Sequence, residues 1–332
     1  MSKDALGKIF KVEKMLGRGD NIDFIFHYKN KSDVIKSSHH ADYDGLGALY
    51  SGLAEEHQYF LPLPKRSLRI KGFWDMLAGL YGMLSDFTPS IVKWKKIEVN
   101  AKYDPRFRSW RVLSQPSTKA LVGHLKSRNL SLNVYLLFLL NRVLQEKLID
   151  SDETLFRWLF PVNMRETDAD QADTSNHTSS IGLAIYKGDE VAEVQRMYER
   201  SVLGSRALAT HFLAKVLASL PEKLLLKLAM LRGKKNMWVG TFSNVGRWDV
   251  EEFIVSKGLP EAISISPPAG TPCFPVGVGV ITWGGQLSIC MRLHPSIVFE
   301  DKIEEKILSE FIDALRKESG IDLELSRTSL VK

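Results

Sequence analysis

Apolar and polar residues alternate along 154–162, where Phe156, Trp158 and Phe160 take every second position. A period of two marks a strand with one buried face. The same reading gives two strands within 22–40, one through Phe24-Ile25-Phe26-His27-Tyr28 and one at Val34-Ile35. Lys29-Asn30-Lys31-Ser32-Asp33 is the turn between them. Further strands are expected at Trp94–Val99, at Ile181–Ile185, and at Trp238–Ser243 with its end in Asn244-Val245-Gly246. Phe274–Thr282 and Gln286–Leu293 are expected to form a hairpin across Trp283-Gly284-Gly285.

Helical spacing begins at Leu46, Leu49, Tyr50 and Leu53 and runs to about Glu56. Trp74–Leu84 and Ser117–Arg128 are further helices. Leu132–Lys147 is a longer one, with Ser131 as N-cap and apolar residues almost all round its first turns, so it is expected to be buried. Asp189–Ala218 keeps helical period throughout. Ser219 is read as the cap of a second helix to Leu231, with Pro221 in its first turn. Asp301–Lys317 closes the chain as an amphipathic helix. Gly17-Arg18-Gly19-Asp20-Asn21 is a turn signal and Thr167–Ser180 a polar loop. Strands and helices alternate, so a mixed α/β architecture is expected, with a boundary near 101–116 separating 1–105 from 106–325.

A length of 332 residues suits two domains. The net charge of +6 fits an anionic small molecule, an acidic carrier protein or an anionic membrane surface. No dense Lys/Arg run or finger pattern occurs, so nucleic acid is not an expected partner. Within 211–231, Lys215, Lys223 and Lys227 lie among apolar residues. This reads as a helix on the core with lysine stems laid along it, the alternative being a helix that meets lipid or a long acyl chain. Cys273 and Cys290 are spaced for neither zinc nor a redox pair, so a reducing cytoplasm is the expected location, with a peripheral membrane association left open. Met1–Phe10 has no apolar signal core, and Val134–Leu140 is too short for a bilayer of about 30 Å.

The stretch Ser37-Ser38-His39-His40-Ala41-Asp42-Tyr43-Asp44-Gly45-Leu46-Gly47 passes from strand to helix through a tight loop. His40 is a candidate general base, because imidazole with a pKa of about 6.5 is largely neutral at cell pH. Asp44 could stiffen the loop or pair with an arginine from another segment, and Gly45 allows a sharp turn. Spacing alone leaves catalysis, metal binding and a structural role open. The metal option lacks a third ligand nearby. His39 is read as structural, since adjacent strand side chains point to opposite faces. His177 is read as solvated in its polar loop, and Gly277-x-Gly279 with Gly284-Gly285 as strand alternation plus a turn.

His39-His40-Ala41-Asp42-Tyr43-Asp44-Gly45 resembles the His-His-x-x-x-Asp-Gly signature of the thioester-dependent acyltransferases. That superfamily includes chloramphenicol acetyltransferase, peptide-synthetase condensation domains, wax ester synthases and alcohol acetyltransferases. Pro161-Val162-Asn163-Met164-Arg165 is similar to its Pro-Val-x-x-Arg segment, and Ser243-Asn244-Val245-Gly246 to the Ser-Asn-x-Gly segment of its wax ester synthase and alcohol acetyltransferase branches. The late glycine-rich hairpin, Phe299 and the last helix resemble its C-terminal end. In order and spacing the resemblance covers about residues 22–320. It implies a chloramphenicol acetyltransferase-like α/β (α+β) fold with a mixed sheet, one partial lobe at 1–105 and one complete lobe at 106–325.

By that resemblance His40 would be the general base. It would activate a small alcohol or amine to attack an acyl thioester, with no covalent acyl-enzyme. Asp44 would be ion-paired with Arg165, and Ser243 or Asn244 would face the oxyanion. No resident cofactor or metal is implied. The co-substrate would be an acyl-CoA or a phosphopantetheinyl carrier, which makes an acyl carrier protein a candidate partner. Only residues 1–38 precede the His-His pair, fewer than the first lobe of the family holds. The implied alternatives are a shortened active member, a homo-oligomer or partner chain that completes the lobe, and an inactive relative that binds a carrier protein or lipid.

Overall fold

The computed structural model describes residues 8–9, 11–12, 21–64, 73–86, 92–95, 108–150, 152–165, 173–203, 205–232, 238–268, 274–298 and 300–329. Several expectations lie outside them: the turn at 17–20, most of the strand at 94–99, the boundary at 101–107, the loop at 167–172, Cys273 and Phe299. Trp94 itself makes a single bridge to Ile149.

Strand β1 (Asn21–His27) pairs antiparallel with β2 (Val34–His39), Phe24 opposite Lys36. Ile22, Phe24 and Phe26 of β1 pack on Leu46, Leu49 and Leu53 of helix α1 (Gly45–His57). Helix α2 (Phe73–Asp86) follows. Strand β3 (Ser109–Leu113) leads into α3 (Gln115–Ser127) and α4 (Leu132–Lys147). Ser131 caps α4 as expected, its hydroxyl accepting from Val134 N at 3.2 Å. Next come β4 (Leu155–Asn163) and β5 (Thr178–Tyr186), whose strict inward–outward alternation shows that one face of each is covered.

Helices α5 (Val191–Leu203), α6 (Arg206–Ala218) and α7 (Glu222–Arg232) replace the expected two. The helical period runs unbroken across the α5–α6 junction, but α2 presses on it there. A Cβ on Gly79 would come within 2.7 Å of the Ser205 carbonyl. Ser219 ends α6 rather than starting α7, because its hydroxyl donates back to Val216 O at 2.6 Å. The 211–231 segment is not simply laid on the core either. Leu225 is buried, but Phe212, Val216, Leu224 and Leu228 are exposed.

The rest of the chain is β6 (Gly240–Trp248), α8 (Glu251–Ser256), β7 (Ala262–Ser266), β8 (Val276–Trp283), β9 (Gln286–Leu293), a 3-10 turn at Pro295–Ile297, α9 (Ile303–Ser319) and β10 (Leu325–Thr328). The expected end of β6 at Ser243 is overrun. The strand bulges between Asn244 and Arg247, then resumes pairing with β8.

Among the described residues the strands form two sheets, one ordered β2-β1-β7 and one ordered β10-β3-β9-β8-β6-β4-β5. The large sheet is mixed, since β4–β6 and β6–β8 are parallel and its other pairs antiparallel. Strand β7 lies so close over β8 that a Cβ on Gly279 would sit 2.1 Å from the Ile265 carbonyl, which is the reason for glycine there. One core lies under α4, α9 and the large sheet, and a second under α1 and the small sheet. No described helix is long and apolar enough to cross a membrane.

Candidate active site

Strand β2 ends at His39, whose carbonyl accepts from Asp42 N at 2.9 Å and Tyr43 N at 3.1 Å. His40 therefore lies in the turn, and the expectation that the two imidazoles alternate along a strand does not apply. His39 Nδ1 accepts from Ala41 N at 3.3 Å, closing the turn on itself. His40 is half-buried, with Nδ1 3.2 Å from the Tyr43 carbonyl. A carbonyl can only accept, and Asn176 Nδ2, 3.4 Å from the same nitrogen, is nearer the His40 carbonyl, so we assign the ring proton to Nδ1 and the lone pair to Nε2. Burial lowers the His40 pKa below its ordinary 6.5, against the His40 and Tyr43 carbonyls and the Asp44 charge, which raise it.

Asp44 and Arg165, distant in sequence, meet: Arg165 Nη2 lies 2.9 Å from Asp44 Oδ1, both side chains almost fully buried. Asp44 Oδ1 also accepts from Gly47 N at 2.8 Å and so caps α1. Asp44 Oδ2 accepts from His177 N at 2.9 Å. Arg165 stands just past the end of β4 and reaches the Ser175 carbonyl at 3.1 Å and Asn163 Oδ1 at 3.3 Å. One guanidinium thus ties the large sheet, the His40 loop and residues 173–177 together.

The 173–177 segment is built, not solvated as His177 was expected to be. His177 Nε2 lies 2.9 Å from both Asp173 Oδ2 and Ser175 Oγ. Burial raises the Asp173 pKa, but hydrogen bonds from Ser175 and His177 outweigh it and bring the carboxyl down to about 2. Buried Asn176 donates to the His40 carbonyl at 3.2 Å. The Thr174 carbonyl approaches so closely that a Cβ on Gly47 would lie 2.1 Å from it. Behind this segment His211 of α6 is brought to about 4 by burial and by the Lys215 and His177 charges.

The bulge of β6 touches the same loop, since a Cβ on Gly45 would meet Val245 Cγ1 at 3.1 Å. Ser243 is half-buried in the strand, opposite Gly279. The amide of Asn244 is committed elsewhere: Nδ2 donates to Asn133 Oδ1 at 2.5 Å, and Oδ1 accepts from Gly246 N at 2.8 Å. Two surface cavities of about 610 and 450 Å³ lie apart from His40, one beside Pro116 and Arg316, the other beside Asn141 and Tyr186.

Solved structures with a similar fold include the trichothecene 15-O-acetyltransferase TRI3 from Fusarium sporotrichioides, at 12% identity and a TM-score of 0.56 over 95% of this chain and 75% of that one. The condensation domain of the monacolin K polyketide synthase MokA matches at 11% identity and 0.54, over 88% and 70%. The EpoB cyclization-docking bidomain from Sorangium cellulosum, part of a nonribosomal peptide synthetase, matches at 11% and 0.53, over 86% and 60%. The chain shares the fold of condensation domains. It spans 60% to 75% of the length of these three chains. No family model matches the sequence, and no curated protein sequence matches it.

Within this condensation-domain fold, His39, His40, Asp44, Gly45 and Arg165 gather around one loop, with Val245 against it. Asp173, Ser175, Asn176 and His177 were not singled out by sequence reasoning as members of this group. Their serine- and asparagine-rich stretch signalled only a loop, and nothing local indicated that it folds back on residues 40–47.

Proposed function

We propose that the protein is an acyltransferase that moves an acyl group from a thioester, on CoA or on a phosphopantetheinyl carrier, to an alcohol or amine. The observation that carries this reading is His40 on a loop pinned by the buried Asp44–Arg165 pair, with Nδ1 turned to the Tyr43 carbonyl. The acceptor's proton passes to His40 Nε2 as its oxygen or nitrogen bonds to the acyl carbon. The carbon–sulfur bond then breaks, and the thiolate leaves with the proton that His40 returns. Ser243 is the candidate oxyanion donor. Asn244 would first have to release Asn133. Asp44 and Arg165 hold the loop and do not touch substrate. A cytoplasmic location belongs to the same reading.

The test is release of free thiol from acyl-CoA and acyl-carrier donors in the presence of alcohol and amine acceptors. Turnover that His40→Ala lowers by about 10² to 10⁴ is expected; turnover that this substitution leaves unchanged rejects the base. A second reading, a relative that binds a carrier protein or lipid without chemistry, is supported by the exposed Phe212, Val216, Leu224 and Leu228. No turnover with any donor, together with carrier binding, selects it.

A further inference from the structure

Helix α2 packs one face on α6 and turns the other outward. The packed face carries Gly79 and Gly82, where a Cβ would meet Ser205 O at 2.7 Å and Arg206 Nε at 2.5 Å. The outward face carries Trp74, Leu77, Tyr81 and Leu84, at one helical stripe, with Trp74 79%, Tyr81 78% and Leu84 65% exposed. Phe212 and Val216 of α6 and Leu224 and Leu228 of α7 are exposed as well. Single exposed apolar residues are ordinary, but eight on α2, on the α6 it packs against and on the α7 that follows α6 make a surface.

The exposed charge on α6 and α7 is mostly positive. Beyond the packed Arg206, the described side chains of α6 and α7 include Lys215, Lys223 and Lys227 against the single acid Glu222. The acids of α2, Asp75 and Asp86, fall near its two ends. Lys223 and Lys227 are exposed and each precedes an exposed leucine, so a basic ridge runs beside an apolar one. A second copy of the chain would bring the same basic face against itself. Side chains that protrude this far also fit a fluid headgroup layer, which needs no matching pockets, whereas protein hot spots are seated in pockets.

We infer that the α2–α6–α7 face docks on an anionic lipid surface. Its apolar side chains enter the headgroup–acyl boundary and its lysines lie against the phosphates. Helix α6 of this face also packs on β5, the strand that follows residues 173–177. The inference does not depend on acyl transfer, because vesicle binding needs no turnover.

The test is co-sedimentation of the full chain with vesicles of equal parts phosphatidylcholine and phosphatidylglycerol, against pure phosphatidylcholine. Binding to the anionic vesicles that falls with added salt is expected. Lys223→Glu with Lys227→Glu should weaken it by about 30-fold or more. Tyr81→Ser with Phe212→Ser should weaken it at unchanged charge, and all four positions are exposed enough for the fold to persist, as circular dichroism would verify. Absence of binding to either vesicle overturns the inference. So does a dimer by light scattering that the Tyr81 and Phe212 pair dissolves, which makes the face an interface between copies. Binding to an acidic carrier protein but not to vesicles assigns it to a protein partner.

Discussion

Asp44 has two carboxylate oxygens and three partners. Gly47 N and the Arg165 guanidinium share Oδ1, and His177 N takes Oδ2. Truncation to alanine removes the helix cap and leaves a buried guanidinium without its carboxylate. Breaking a buried pair of this kind costs about 3–5 kcal/mol. Asp44→Ala should lower the urea midpoint accordingly, and a shift under about 1 kcal/mol would show the pair to be dispensable. His40 has a pH signature. Its neutral form is the base, and its folded pKa lies below 6.5. The midpoint of the acid decline in turnover should therefore lie below pH 6.5. A midpoint above 6.5 would mean that another group limits the rate.

Helix α1 and the 173–177 segment fit only because residue 47 lacks a Cβ. Gly47→Ala puts a methyl 2.1 Å from the Thr174 carbonyl, so backbone must move. The expected cost is about 1–3 kcal/mol in denaturant unfolding, together with lower turnover as Asn176 is pulled from His40. Helix α9 carries a different liability. Glu304 in its first turn is buried, and its Oε1 has no hydrogen-bond partner among the described residues. Burial pushes its pKa up to about 7, against backbone donors at Glu304 and Leu293 and the Arg292 charge. The folded value exceeds the unfolded one, so the unfolded chain ionises first. Stability should fall as pH rises from about 4.5 to about 7, by on the order of 3 kcal/mol, and then level off. Glu304→Gln should flatten that slope in urea titrations between pH 5 and 8; an unchanged slope would place its origin elsewhere.

Strand β7 binds the molecule together. It pairs with β1 in the small sheet and lies against β8 of the large one, and Ser264 Oγ meets Ser288 Oγ at 2.6 Å. Asp23 of β1 adds ion pairs to Arg108 and, at 3.9 Å, to Arg292 of β9. With the sheets locked at so many points, the chain should unfold in one step. Tryptophan fluorescence and far-UV circular dichroism should give coincident midpoints. Two separated transitions would mean that the sheets are stable apart.

Local pattern was enough for α4, for the β8–β9 hairpin and for β4 and β5, because a buried face writes its period into the residues that line it. Local spacing marked His40 and Asp44 as residues of interest, and the resemblance to the thioester-dependent acyltransferases added Arg165. Strand β7 left no such mark, since Ala262–Ser266 is short and buried on every side. Nor could pattern show α2 interrupting the 189–218 helix, Asn244 being tied to Asn133, or residues 173–177 closing on the His40 loop. Each of these is set by a backbone approach or a hydrogen bond between segments tens of residues apart or more. Periodicity reports which face of an element is covered; what covers it is fixed when the chain packs.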